Sequence, residues 1–210
     1  MQMIHERSLE KSSLLSSYQV ARAIPPVEVI QVLNAAKISF VLVGAYGLAG
    51  WMKEARATED VDVVVSAKQV KKAVKVLGEA FPHLEAVDLP VVVRLRDRES
   101  HDIAIDIMKP AQQPYREVFR HTHTVSAAGQ IYRVPSLEMA IVMKFAAMTS
   151  LYRAEADKYQ DAHDFIRMVK QNPEYDREKL AELGSLLYAD GGKDVLEMAR
   201  KAQAGEKLNL

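Results

Sequence analysis

The chain has 210 residues, 49% of them hydrophobic, so it is long enough to bury the core of one domain or of two small ones. Basic and acidic residues both number 28, which excludes a global positive field for nucleic acid and an acidic excess typical of disorder. The sequence has no cysteine, which excludes disulfides, zinc ribbons and thiol nucleophiles. Because no apolar run reaches membrane-spanning length and the first residues lack a signal-type block, we expect a cytoplasmic protein without a membrane partner.

The beginning of the chain is predicted to be helical. A helix over residues 7–22 belongs to an N-terminal extension, residues 1–25, and carries no recognisable chemistry. A Pro-Pro pair separates it from a second helix at residues 27–37, whose apolar residues have helical spacing. This second helix should therefore lay one face on a sheet that begins with a buried strand at residues 38–43.

A glycine-rich turn follows this first strand. Gly44, Gly47 and Gly50 free the backbone to turn tightly and to approach a ligand closely, and a short helix is expected over residues 46–53. Taken alone, three glycines are about as typical of a packing turn as of phosphate binding. The acids that come next along the chain favour phosphate binding.

Two acids open the second strand, which is predicted over residues 61–66. Residues two apart on a strand point to the same face, so Asp60 and Asp62 project together while alternate valines bury the other face. Asp is disfavoured in strands, and this favours a functional role for the pair over a solvated strand edge. Two carboxylates beside a phosphate-sized turn indicate a divalent cation that holds a nucleotide.

A third acid is expected from a later hairpin. After an amphipathic helix over residues 67–80, two β-branched runs at residues 90–96 and 101–108 are separated by a polar loop and should be antiparallel neighbours. In the second run Asp102 and Asp106 share one face. If the hairpin pairs beside the second strand, either residue could join the first two acids.

The pattern changes from period two to helical after residue 135. A β segment over residues 123–134, with a turn near Ala128, precedes Ser136, which is typical of a helix start. The long apolar pattern of residues 137–170 has a polar break near Ala154, so it predicts two helices rather than one.

Two further helices complete the chain in this prediction. They are expected at residues 173–187 and 195–202, with a Gly-Gly pair separating them. We therefore expect an α+β fold with two parts. Residues 26–135 would form a core with helices on the faces of a mixed sheet, and residues 136–210 a helical subdomain packed on that core.

These stretches resemble the nucleotidyltransferase superfamily related to DNA polymerase beta, and within it the bacterial AbiEii-like proteins and minimal nucleotidyltransferases. The family pattern is a strand that ends in a turn of small residues, an Arg-x-Thr-x-Asp-x-Asp segment, a third carboxylate on a later strand and a helical tail with basic residues. The resemblance covers roughly the middle two-thirds of the chain. The matching stretches are Val43-Gly44-Ala45, Arg56 to Asp62, Ile105-Asp106-Ile107, and the tail residues Lys144, Arg153, Lys158 and Asp161.

The resemblance implies transfer of a nucleoside monophosphate from a nucleoside triphosphate to a hydroxyl acceptor, with release of pyrophosphate. Asp60, Asp62 and Asp106 would be the catalytic acids and would hold Mg²⁺ or Mn²⁺. Residues implied to bind the nucleotide are Gly44, Ala45, Tyr46, Arg56, Thr58, Lys144, Arg153 and Lys158.

One position departs from the family pattern. Ala45 stands where the family turn often has serine or glycine, so a hydroxyl contact with phosphate would be missing. Backbone N–H groups at a helix start can still bind phosphate oxygens. The resemblance therefore predicts a phosphate site formed by the backbone.

The resemblance leaves the acceptor open. Some relatives modify tRNA ends or proteins, others modify small molecules such as aminoglycosides, and many act as toxins beside a cognate antitoxin. Residues 136–210 contain 11 basic and 13 acidic residues, so the helical part has no basic stripe for a long nucleic acid. A tRNA end that is held locally stays compatible with these charges.

Two alternatives to an active transferase remain at this stage. Gly44-x-x-Gly47-x-x-Gly50 after a strand could belong to a dinucleotide-binding half-fold, although that fold uses a G-x-G spacing and needs no Asp-x-Asp pair. A protein of the transferase fold could also bind nucleotide or a partner without turnover.

Overall fold

The computed structural model describes residues 23–54, 56 and 58–208. The predicted helix at residues 7–22 lies outside these residues. The chain divides into two compact units between Pro135 and Ser136. None of the described helices is long and apolar enough to cross a membrane.

A five-stranded mixed sheet forms the centre of the first unit. The spatial order is β1-β2-β5-β4-β3, in which β2 and β5 are parallel and the other three pairs are antiparallel. The predicted α+β class with a mixed sheet is confirmed, as is the antiparallel hairpin that contains the third acid. The strands are β1 (Phe40–Leu42), β2 (Val61–Val65), β3 (Leu84–Asp88), β4 (Val92–Asp97) and β5 (Ile103–Met108).

Three helices and a separate hairpin complete the described part of the first unit. The amphipathic helix predicted after the second strand is present, with Ala73 and Leu77 buried and its lysines on the exposed side. The helices are α1 (Pro26–Ala35), α2 (Gly44–Leu48) and α3 (Val70–Ala80), and the hairpin consists of β6 (Thr122–Ala127) and β7 (Gln130–Pro135). Single 3₁₀ turns lie at Ala49–Trp51, Ala67–Gln69 and Val118–Arg120.

One strand of the sheet, β3, was missing from the sequence prediction. Of its five residues only Leu84 is buried, because β3 lies at the edge of the sheet and pairs with β4 alone. An edge strand with charged residues shows no clear apolar alternation, so hydrophobic periodicity could not detect it.

One cluster of buried apolar residues packs the first unit. It joins α1, α3 and the β6-β7 hairpin to the sheet through side chains such as Leu33, Leu77, Val134, Val63 and Ile105. The alternate valines of β2 belong to this cluster and are fully buried, as the period-two pattern predicted. Their burial fixes which residues of β2 lie on the opposite face.

Four helices form the second unit. Ser136 accepts a hydrogen bond from Met139 N at 3.4 Å and caps the first of them, as predicted, and the break predicted near Ala154 separates the first two. Phe145 and Phe165 contact each other in the core of this unit, with ring centroids 6.5 Å apart. The helices are α4 (Leu137–Met148), α5 (Glu155–Gln171), α6 (Arg177–Ser185) and α7 (Gly191–Ala204).

The predicted start of the last helix was wrong. Gly191 and Gly192 were expected to precede that helix, whereas both lie in its first turn. A Cβ atom on Gly184 of α6 would lie 2.7 Å from the carbonyl oxygen of Gly191, so the two helices approach too closely for side chains here. The glycines therefore permit close helix packing and do not end a helix.

We predict opposite effects for two glycine substitutions. Gly184→Ala should lower the free energy of unfolding by about 1–3 kcal/mol, because its Cβ would overlap Gly191. Gly78→Ala, in α3, should raise it by about 0.5–1 kcal/mol, since nothing lies within 4 Å of the new methyl group and alanine favours a helix. Urea unfolding followed by circular dichroism measures both, and equal effects would contradict the close contact between α6 and α7.

Candidate active site

The candidate site begins where β1 ends and α2 starts. The N–H of Val43 donates to the carbonyl of Asp62 at 2.9 Å and extends the β1-β2 pairing by one residue. Gly44 then takes a φ of +58°, in the left-handed region that favours glycine. A Cβ atom on Gly44 would lie 2.7 Å from Cγ of Asp62. The sequence predicted that this turn approaches a ligand closely. In the structure the turn closely approaches the Asp62 carboxylate.

The second glycine of the turn has a packing role. A Cβ atom on Gly47 would lie 2.8 Å from the carbonyl carbon of Leu42, so the absence of a side chain lets α2 pack against the end of β1. The side chains of Ala45 and Tyr46 are buried. A nucleotide contact of these two residues would therefore come from the backbone.

A chain of hydrogen bonds connects α2 to the segment that precedes β2. The hydroxyl of Tyr46 donates to the carbonyl of Thr58 at 3.2 Å, and the hydroxyl of Thr58 donates to Oδ1 of Asp60. Asp60 and Arg56 are both half-buried. The Thr of the predicted Arg-x-Thr-x-Asp-x-Asp segment thus orients the first acid.

Three charged residues lie side by side across the sheet. Asp62 is opposite Asp106 in the parallel β2-β5 register, and Asp106 is opposite Arg94 in the antiparallel β5-β4 register. Residues in register on neighbouring strands project from the same face of the sheet. Nε of Arg94 lies 3.4 Å from Oδ1 of Asp106, whose side chain is 12% exposed.

This register decides between the two candidates for the third acid. Asp106 lies within β5 beside Asp62, whereas Asp102 precedes β5 and is exposed. The carbonyl of Asp102 accepts a hydrogen bond from Asp97 N at 2.9 Å, within the hairpin loop. The structure therefore brings Asp106, and not Asp102, next to the second acid.

The acidic residues of the candidate site suit a hard divalent cation, because they offer oxygen donors and lie on or beside neighbouring strands. Mg²⁺ and Mn²⁺ prefer carboxylate oxygens, and Asp62 and Asp106 place two carboxylates on one face, with Asp60 two residues before Asp62. Over the described part of the chain, no three His, Asp or Glu side chains converge as a metal-binding group. A cation would therefore require these carboxylates to turn toward one point.

Two of the three predicted phosphate-binding cations are ion-paired within the second unit. Lys144 Nζ donates to Oδ1 of Asp161 at 2.7 Å and lies 2.8 Å from Oδ2 of Asp164. Nε of Arg153 pairs with the other oxygen of Asp161. Lys144 is only 8% exposed, and both aspartates are buried. The lysine thus points inward to two carboxylates and does not extend to the surface.

The third cation, Lys158, has a different environment. It is half-buried on α5, and within residues 23–208 as described its ammonium group forms no ion pair. Lys158 could therefore bind an external anion without first breaking an ion pair.

Sequence reasoning missed two charged residues of these clusters. Arg94 could have been found from the predicted hairpin, because its period-two position on the first strand faces the acids of the second. Asp164 lies three residues after Asp161 and therefore on the same side of α5. Only tertiary structure shows that this side is buried.

We predict that Lys144→Met strongly destabilises the protein. It leaves Asp161 and Asp164 buried with less compensating charge, so the free energy of unfolding should fall by about 3–5 kcal/mol. The matched control Lys158→Met removes a lysine without an assigned ion pair and should change it by less than about 0.5 kcal/mol. Urea unfolding of both variants tests this, and a small effect of Lys144→Met would contradict the buried ion-pair network.

Solved structures of nucleotidyltransferases resemble this fold. The structure of ANT(2")-Ia in complex with adenylyl-2"-tobramycin has a TM-score of 0.52 and 13% identity, over 74% of this chain and 90% of that chain. An antigenic nucleotidyltransferase-like protein from Paracoccidioides brasiliensis has a TM-score of 0.47 and 17% identity, over 82% of this chain and 88% of that chain. At 13% identity, the likeness to ANT(2")-Ia shows the fold alone.

Sequence comparison gives the family. No curated protein matches the chain at a significant level. The sequence profile of the family described as "Nucleotidyl transferase AbiEii toxin, Type IV TA system" matches residues 31–208, which is most of the chain. This range includes the glycine turn, the three acids and the ion-paired helices described above. The chain therefore belongs to the AbiEii nucleotidyl transferase family.

Proposed function

We propose that this protein transfers a nucleoside monophosphate from a nucleoside triphosphate to a hydroxyl acceptor, in a reaction that depends on Mg²⁺ or Mn²⁺. The observation that carries the proposal is the position of Asp62 beside Asp106, with the turn at Gly44 against the Asp62 carboxylate. Membership of a nucleotidyl transferase family supports this reaction class.

Three carboxylates are proposed to hold the metal. Asp60, Asp62 and Asp106 supply oxygen ligands, and the hydroxyl of Thr58 orients the first of them. A divalent cation bound there would neutralise triphosphate charge and make the acceptor hydroxyl more acidic. The rigid β2-β5 pair keeps two of the ligands at a fixed separation, which suits a reaction that needs positioning more than covalent catalysis.

The nucleotide is proposed to bind next to these acids. Backbone N–H groups at Gly44, Ala45 and Tyr46 would hold phosphate oxygens, because the buried side chains of Ala45 and Tyr46 leave only the main chain for contact. Arg56 and Thr58 belong to the same proposed site. Lys144, Arg153 and Lys158 of the helical unit stay predictions of the family resemblance, and the first two are ion-paired to Asp161 within that unit.

The bond changes of the proposed reaction balance without a further reactant. The acceptor hydroxyl gives its proton to solvent, its oxygen forms a bond to the α-phosphorus, and the bond from that phosphorus to the oxygen that bridges the α- and β-phosphates breaks. Pyrophosphate leaves. The role of the protein side chains is to align the two oxygens and to compensate negative charge.

We propose that the hydroxyl acceptor belongs to one of three classes of molecule. A tRNA end, a protein and a small molecule all carry hydroxyl groups, and ANT(2")-Ia was solved with an adenylylated small molecule, adenylyl-2"-tobramycin. The family is described as toxins of type IV toxin-antitoxin systems. We therefore propose that the protein acts as a toxin beside a cognate antitoxin.

The dinucleotide-binding alternative disagrees with the strand directions. That fold requires two parallel strands joined by a crossover helix after the glycine turn. Here β1 and β2 are antiparallel, and Gly47 packs against Leu42. The glycine pattern therefore belongs to a tight strand-helix-strand turn of another kind.

We predict that Asp106→Asn abolishes nucleotidyl transfer. The protein is incubated with Mg²⁺, each α-labelled nucleoside triphosphate, and either total tRNA or a cell lysate, and label in macromolecules and small molecules is counted. Asp106→Asn should lower the labelling rate by at least about 100-fold, because it removes a proposed metal ligand. Asp102→Asn is the matched control and should keep the wild-type rate, since Asp102 is exposed outside β5.

Two results would contradict the proposal. Undiminished labelling by Asp106→Asn would show that this acid is not part of the active site. Absence of labelling by the wild-type protein, together with a thermal stabilisation by nucleoside triphosphate that requires Mg²⁺, would indicate a binding protein without turnover.

A further inference from the structure

We propose that Arg94 is a positioning residue for Asp106, and that its guanidinium group competes with a divalent cation for this carboxylate. The inference rests on the proposed function, because it concerns the third acid of the proposed metal site. Its consequence is that the site binds metal weakly until a nucleoside triphosphate is present.

The geometry places Asp106 between an acid and a base. In the sheet, Asp62 is its neighbour on β2 and Arg94 is its neighbour on β4. Nε of Arg94 lies 3.4 Å from Oδ1 of Asp106. The Asp106 side chain is 12% exposed and that of Arg94 is 43% exposed, so the carboxylate is largely shielded from solvent while the arginine remains in contact with it.

The second arginine of β4 shows that this pairing is specific. Arg96 lies two residues after Arg94, and its NH2 group pairs with Oε1 of Glu85 at 2.7 Å. Glu85 lies on the edge strand β3, away from the acids. The two arginines of β4 thus pair with different carboxylates, and of these two it is Arg94 that pairs with a proposed metal ligand.

Electrostatics gives the consequence of this arrangement. A guanidinium group and a divalent cation that share one carboxylate repel each other at short range, where water screens the charges incompletely. The repulsion weakens metal binding to the protein alone. The negative charge of a triphosphate offsets it, so Arg94 couples metal binding to nucleotide binding.

The test is a titration of the nucleotide-free protein with Mn²⁺, in which electron paramagnetic resonance measures the free ion. Arg94→Gln should bind Mn²⁺ about tenfold more tightly than the wild-type protein, since it removes the competing charge. Arg96→Gln should change the affinity by less than about twofold. A gain in affinity is informative, because a merely destabilising substitution would not produce one.

Two further variants test whether the effect acts through Asp106. In the Asp106→Asn background, Arg94→Gln should no longer tighten Mn²⁺ binding, because the shared carboxylate is absent. Arg94→Lys keeps the positive charge and should retain the wild-type affinity within about twofold. Circular dichroism confirms that each variant is folded before titration, and Arg94→Met, which also removes the charge, replaces the glutamine variant if that variant does not fold.

Several outcomes would overturn the proposal. An unchanged or weaker affinity in Arg94→Gln, or a tightening of similar size in Arg96→Gln or Arg94→Lys, would show that Arg94 does not compete with the metal. If one of these affinity results is found while wild-type protein still transfers label with Mg²⁺, only the proposed role of Arg94 is contradicted. If wild-type protein neither binds Mn²⁺ nor transfers label, the proposed function fails with it.

Discussion

The parallel pairing of β2 with β5 is the constraint on which the candidate site depends. It sets Asp62 opposite Asp106, although helix α3 and strands β3 and β4 separate them in the chain. Parallel strands require such a crossover connection, and a shift of register by one residue would move either carboxylate to the apolar face. Buried valines and isoleucines on that face hold the register, so the hydrophobic core itself positions the acids.

The turn at Gly44 is a second constraint of the same kind. Its left-handed backbone and its contact with Asp62 leave no room for a side chain, and Tyr46 connects the following helix to Thr58 and through it to Asp60. The turn thus lies against the second acid and is connected to the first. The carboxylates would still have to turn toward one point to hold a cation.

Sequence periodicity predicted the fold class and the buried face of β2, because burial on one side of a strand imposes a period of two. It placed both Asp106 and Asp102 on one face of the later strand and favoured Asp106, which isoleucines flank; the register between β2 and β5 places Asp106 beside Asp62. Arg94 was also missed, although the predicted hairpin contains it and its period-two position faces these acids. The partners of Lys144 were missed because a helical pattern shows that a lysine lies in an apolar stretch, but not which carboxylates a second helix brings to it. Which strands and helices pair is determined by tertiary structure, and local sequence propensity does not predict it.

The most direct test of the central claim is anomalous diffraction from crystals grown with Mn²⁺ and a non-hydrolysable nucleoside triphosphate. The account predicts a Mn²⁺ peak about 2.0–2.5 Å from carboxylate oxygens of Asp62 and Asp106, with triphosphate oxygens on the same ion and against the backbone of residues 44–46. A nucleotide bound at another place, with no peak between these two carboxylates, would contradict it.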